Sequence, residues 1–185
     1  MNIFYTDSNP IIAAQSLVDS HVVKMILESC QLLSTAHRML DGRLEIVVVN
    51  NRKKKVWILP DARDSILYQA THVNHPSAIW CRESKDNYLW LFNHTVELTR
   101  EYTFRYGKRH KCCDLLGWLG AVPHNISVVP FTQPPPAMDP KYIISQDSVE
   151  NYRNYYNHGK IHLHRYKKRS PPEWLVYNTG QTSTS

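Results

Sequence analysis

His21, Lys24 and Glu28 lie in one segment, HVVKMILESCQLLSTAHRML, which contains no glycine or proline before Asp41-Gly42. At about 100° per residue, these three fall with Gln31, Thr35 and Arg38 within an arc of roughly 100° on an α-helix. Val22, Ile26, Cys30, Leu33 and Leu40 take the opposite side. The pattern predicts one core face and one chemical face. Lys24 and Glu28 have the spacing of an ordinary i,i+4 ion pair on a solvated helix, worth a few tenths of a kcal/mol. They also have the composition of a reactive site. An amine becomes a better nucleophile when desolvated beside another cation, and a neighbouring carboxylate can shuttle its proton. The brief helix that precedes this one must fold back on it, which would bring the α-amino group of Met1 near Glu28. Amine, carboxylate and basic surroundings are the components for attack on the C1′ of a nucleotide, forming an imine, expelling a base, and leaving β-elimination of the strand as a later step.

The elements that must hold these groups can be read along the chain. Ser8-Asn9-Pro10 followed by IIAAQSLV predicts a short helix over about 10–18. Asp19 or Ser20 can cap the long helix, and Gly42 suits a left-handed C-terminal cap. LEIVVV at 44–49 and VWIL at 56–59 predict a hairpin whose turn is NNRKKK. Pro60-Asp61 opens a helix through ARDSILYQAT, interrupted at His72–Pro76. A long helical stretch follows from Ser77 to Tyr106, broken near Ser84 and ended by Gly107, with further helical turns at Leu115–Leu119. The proline-rich span 120–140 is a loop, Ser148 caps a helix that stops at Gly159, and 178–185 reads as a disordered tail. The fold class expected is mainly α: a compact helical single domain over 1–177 with a small β-hairpin.

Composition bounds the partners. The 185 residues carry 42% hydrophobic and 21% charged residues, with Lys+Arg 22 against Asp+Glu 16, a formal net charge of +6. That balance favours a polyanionic partner. No apolar run reaches the roughly 20 residues that span a bilayer. MNIFYTDSNP lacks the features of a secretory signal. The expectation is therefore a cytoplasmic protein, in the host cytoplasm if phage-encoded, with no membrane partner. The adjacent Cys112 and Cys113 suit reduced thiols better than a disulfide framework.

The segment LVDSHVVKMILES resembles the Asp-x-His followed seven residues later by Glu in the pyrimidine-dimer DNA glycosylase/AP lyase family, the phage endonuclease V type. Asp19, His21 and Glu28 carry that spacing. THVNHP, a long helix ending in RYGK, and KKRSPPEWLVY follow in the family's order, so the likeness covers most of the chain loosely, with insertions at the hairpin and the proline-rich loop. The resemblance implies a compact all-helical fold and DNA repair by base excision, in which a nucleotide is flipped out of kinked duplex DNA. It implies that Glu28 is the essential carboxylate and that His21 lies beside the DNA or the reacting sugar. The family's nucleophile is the amine of the mature N-terminus. Here Met1 precedes Asn2, a bulky residue that normally leaves methionine in place, where the family has a small residue. Three alternatives therefore stand: the Met1 amine, Lys24, or no lyase step. The arginine close after the family's glutamate is absent, and Gln31 stands near that position.

Three basic clusters could meet phosphates: RKKK at 52–55, RYGKRHK at 105–111 and KIHLHRYKKR at 160–169. The hairpin cluster fits a solvated charge run, so the DNA-binding candidates are Arg105, Lys108, Arg109, Lys167, Lys168 and Arg169, joined by Arg38 and by His72 and His75 from the loop before Pro76. The histidine spacings lack a matching zinc-type partner set, so neither metal nor cofactor is expected. The leading expectation is a monomeric, metal-independent glycosylase acting on double-stranded DNA with damaged or modified pyrimidines. A non-catalytic basic DNA- or RNA-binding protein, such as a phage-type accessory factor, is the alternative. A histidine-based metal nuclease is a third.

Overall fold

The computed structural model describes residues 1–176. The chain is mainly α-helical with one small antiparallel hairpin. Its elements are α1 (Pro10–Ser16), α2 (Asp19–Asp41), β1 (Arg43–Val49), β2 (Arg52–Ile58), α3 (Arg63–Ile66), α4 (Pro76–Glu83), α5 (Lys85–Tyr106), α6 (Leu116–Leu119) and α7 (Ser148–Gly159), with 3-10 turns at Lys111–Leu115, Pro140–Tyr142 and Ile161–Leu163. The tail expected over 178–185 lies outside the described residues. Among those described, no helix is long and apolar enough to cross a membrane.

Helix α2 is the axis of the fold. It packs along α5 and against α4, while α1 crosses α5. One contiguous core runs from Ile3, Phe4 and Tyr5 through Leu17, Met25, Ile26 and Leu33 of the first two helices to Tyr88, Leu98, Tyr152, Tyr156 and Leu175. Burial of side chains this size stabilises by roughly 1.5–3 kcal/mol each, so the extreme N-terminal residues are anchored as firmly as the helices. Cys30, Cys81 and Cys112 are buried free thiols and Cys113 is half-buried.

Helix ends mostly follow local chemistry. The Asn9 side chain accepts from the Ile11 N–H and Pro10 occupies the first turn of α1. Ser84 ends α4 and caps α5 by accepting from the Asp86 N–H, and Gly107 closes α5 in the left-handed conformation at φ 66°. Four expectations are corrected. Gly42 is extended (φ −89°, ψ 154°) rather than left-handed; glycine is needed because a Cβ would sit 2.4 Å from the Arg38 carbonyl oxygen. Asp147, not Ser148, caps α7 through the Val149 N–H. The helix expected from Pro60 shrinks to the four residues of α3, because the chain from Leu67 turns away to give its carbonyls to Arg38. The hairpin turn is Asn50-Asn51 alone, both at positive φ (50° and 59°), as a tight twisted turn demands. Arg52 to Lys55 consequently lie inside β2, paired with Val49 to Ile46.

Candidate functional site

The two-faced description of α2 gives way to a different arrangement. His21, Thr35 and Arg38 of the polar stripe are buried, while Val23 and Leu27 are exposed. The stripe is covered by the N-terminal segment, the 67–75 loop and α4, which places Glu28 under a roof. Its side chain is 13% exposed, with Oε2 3.9 Å from the Met1 amine and Oε1 3.2 Å from Lys24 Nζ. The Asn2 N–H donates to the same Oε2 at 3.1 Å. Carboxylate, α-amine and ε-amine thus meet at one point.

Residues 1–6 hold the amine there. The Asn2 side chain donates to the Ala137 carbonyl (2.8 Å) and its Oδ1 accepts from the N–H groups of Ile3 (2.7 Å) and Phe4 (3.1 Å). That local turn supports the positive φ of Phe4, 56°, a sparsely populated conformation for an aromatic residue. It turns the Phe4 ring onto His21, with centroids 4.0 Å apart and planes inclined by 17°. The Met1 side chain is only 3% exposed and packs on the core, so the first residue is part of the fold.

His21 lies beneath this segment, its Nδ1 2.6 Å from the Tyr156 hydroxyl. Burial lowers its pKa to about 3, helped by the positive charges of Lys160, Lys24 and His162. The ring is therefore neutral at pH 7 and serves as a packed support for Phe4. At the N-terminal cap of α4, His75 accepts the Ser77 N–H at Nδ1 (3.1 Å), which leaves the proton on Nε2. Its pKa is lowered by desolvation and then by the charges of the Met1 amine and His72, against the opposing pull of Glu28. His75 thus lies within electrostatic reach of the same amine and carboxylate. His72 is exposed at φ 49°, its Nδ1 2.8 Å from the Thr71 hydroxyl.

Arg38 and Arg105 are not phosphate ligands at the surface, since both are fully buried. Every donor of Arg38 is engaged: with the Tyr68, Trp57, Asp64 and Leu67 carbonyls and with Asp64 Oδ1 at 2.7 Å. Arg105 joins Glu101 (2.7 Å), Asp19 (2.9 Å) and the Gln15 carbonyl (3.0 Å). Asp19 also accepts the Lys167 N–H, so its place in the motif is to tie α2 to α5 and the C-terminal segment. Arg169 is bidentate on Glu101 (2.9 and 2.8 Å), Lys168 donates to the Phe104 carbonyl, and Lys167 lies over the Tyr106 ring. Arg109 pairs with Asp114 in the open (2.6 Å), and Lys108 is exposed at the end of α5. Arg105, Lys167 and Arg169 gather around Asp19 and Glu101 at the start of α2, nine residues or roughly 14 Å along the helix from Glu28, whereas Arg38 sits in the last turn of α2.

Sequence reading missed Asn2, Phe4 and Tyr156, whose types carry no chemical signature, and Lys160 with His162, which a basic aromatic run did contain. The Lys160 ammonium lies 4.9 Å from the centroid of Tyr155, a ring that stacks on Phe4 at 6.4 Å. Among the described residues, no three His, Cys, Asp or Glu side chains form a group that could hold a metal. No protein-family model matches this chain, and neither a curated protein nor a solved structure matches it significantly.

Proposed function

We propose that this protein is a DNA glycosylase acting on damaged or modified pyrimidines through an amine nucleophile and Glu28. The observation that carries the reading is the meeting of the Met1 amine, Lys24 Nζ and the Glu28 carboxylate in a largely covered position. The α-amine is the preferred nucleophile. It is held by a folded segment and shares Glu28 Oε2 with the Asn2 N–H, whereas the Lys24 side chain is 69% exposed. Were Met1 removed in the mature chain, the Asn2 nitrogen at 3.1 Å would become the amine on the same oxygen.

Glu28 accepts a proton from the ammonium, and the free amine forms a bond to C1′ as the bond from C1′ to the base breaks; the base leaves with the electron pair and takes up a proton. Opening of the C1′–O4′ bond, with Glu28 returning its proton to O4′ and the amine's second proton passing to the departed base, leaves a protonated imine that water can hydrolyse. Lys24 and His75 at the carboxylate, with Lys160 and His162 near His21, supply donors or positive charge suited to the flanking phosphates.

The test is incubation of the protein with a panel of modified and abasic duplexes, with and without borohydride, followed by mass spectrometry of the trapped peptide. Trapping at the first residue is expected. An adduct on Lys24 reassigns the nucleophile, and base release without any adduct removes the imine step. Salt-sensitive binding with no chemistry on any duplex overturns the enzyme in favour of a binding protein.

A further inference from the structure

The hairpin that read as a solvated charge run carries a second inference, which rests on the reading of this chain as a protein that acts on DNA. Residues 43–58 hold Arg43, Arg52, Lys53, Lys54 and Lys55 against one carboxylate, Glu45. Glu45 pairs with Arg43, and among the described residues none of the other four cations forms an ion pair. The register distributes them. Lys53 and Lys55 stand opposite Val48 and Ile46 on one face, while Arg52 and Lys54 stand opposite Val49 and Val47 on the other. The first face is open along its length: Leu44, Ile46 and Val48 are 49%, 64% and 66% exposed. A merely solvated strand has no reason to hold three branched apolar side chains outward between lysines.

We propose that the β1–β2 hairpin is a second docking element, a two-stranded ribbon that enters the major groove of duplex DNA. That groove is about 12 Å wide and admits such a ribbon. Cations on both faces of the ribbon reach the phosphates of both groove walls, and the outward Ile46 and Val48 meet base edges and thymine methyl groups, the apolar features of that groove. The tight Asn50-Asn51 turn keeps the tip narrow. The hairpin leaves α2 at Gly42, fourteen residues or roughly 21 Å along the helix from Glu28, so its contacts are added to those around the reacting nucleotide. An A-form RNA helix, with its deep and narrow major groove, does not accept the same element.

The experiment measures fluorescence anisotropy of a labelled DNA duplex of about three helical turns across a salt series. The combined variant Lys53→Glu/Lys54→Glu/Lys55→Glu should bind at least ~10-fold more weakly and lose about 2–3 from the slope of log affinity against log salt. Ile46→Ser/Val48→Ser should weaken binding a few-fold with the slope kept. Circular dichroism checks that both remain folded, and Lys85→Glu, at the exposed start of α5, controls for a charge change elsewhere. Wild-type affinity and slope in the triple variant overturn the hairpin's role. So does a dimer that Ile46→Ser/Val48→Ser converts to monomer with DNA binding unchanged, because the open face then belongs to a second copy. Hairpin-dependent binding without base release leaves this inference standing and removes the glycosylase. Base release at limiting DNA that ignores the hairpin variants does the reverse.

Discussion

Phe4 lies flat on His21, and the same residue closes the turn, begun at Asn2, that aims the Met1 amine at Glu28. A stacking contact in the core and the position of a reactive group are therefore one structural fact. Phe4→Ala should destabilise the protein by about 3 kcal/mol, as removal of a buried aromatic ring does. It should also slow imine trapping beyond what the unfolded fraction explains. Urea titration beside single-turnover borohydride trapping checks this, and an unchanged trapping rate per folded molecule would separate the ring from the site.

Glu28→Gln keeps an oxygen that can accept the Asn2 N–H but removes the proton shuttle. Stability should change by less than about 1 kcal/mol, since the pair with exposed Lys24 is of the weak i,i+4 kind. Base release should fall by a factor on the order of 10²–10⁴, the range for general acid–base groups. A stopped assay on modified duplex with thermal melting in parallel distinguishes the two effects. Full turnover by the variant would take Glu28 out of the chemistry.

The fold should be acid-sensitive. Burial lowers the pKa of His21 and His94 to about 3 and of His37 to about 4. Each titrates near 6.5 when unfolded, so between its folded and unfolded values the unfolded chain binds more protons and stability falls as pH falls. The loss begins as pH drops below about 6.5 and reaches roughly 1–2 kcal/mol per histidine at pH 5. His94 stacks on Trp90, and neither ring nitrogen has a hydrogen-bond partner among the described residues. His94→Phe should therefore remove part of the acid sensitivity without weakening the protein at pH 8. Urea midpoints at pH 5 and pH 8 are the measurement, and an identical pH dependence in the variant would contradict it.

Arg105 is a structural cation. Arg105→Met strips Glu101 and Asp19 of a buried partner and should cost roughly 3–5 kcal/mol. Lys108→Ala, at the exposed end of the same helix, should leave the melting temperature unchanged. Differential scanning calorimetry of the two variants decides, and a small effect at Arg105 would return it to the candidates for phosphate contact.

The long helix with His21, Lys24 and Glu28 at its stated spacing, the first strand, the existence though not the start of the second, the break at Ser84 and the stop at Gly107 were legible in the chain. They depend on neighbours within one or two turns: on periodicity, on a serine that caps, and on a glycine that tolerates positive φ. Tertiary structure alone decided which charged groups are available. Arg105 meets Asp19 across 86 residues and Arg38 meets Asp64 across 26, and no local pattern marks either pair. The same holds for Met1 and Glu28, whose meeting depends on Ile3, Phe4 and Tyr5 entering a core built by helices far along the chain. Arg105, Lys167 and Arg169, from the basic clusters chosen from sequence, fold onto acidic and aromatic partners, while the cluster set aside keeps its charges open, because charge density is local and neutralisation is not.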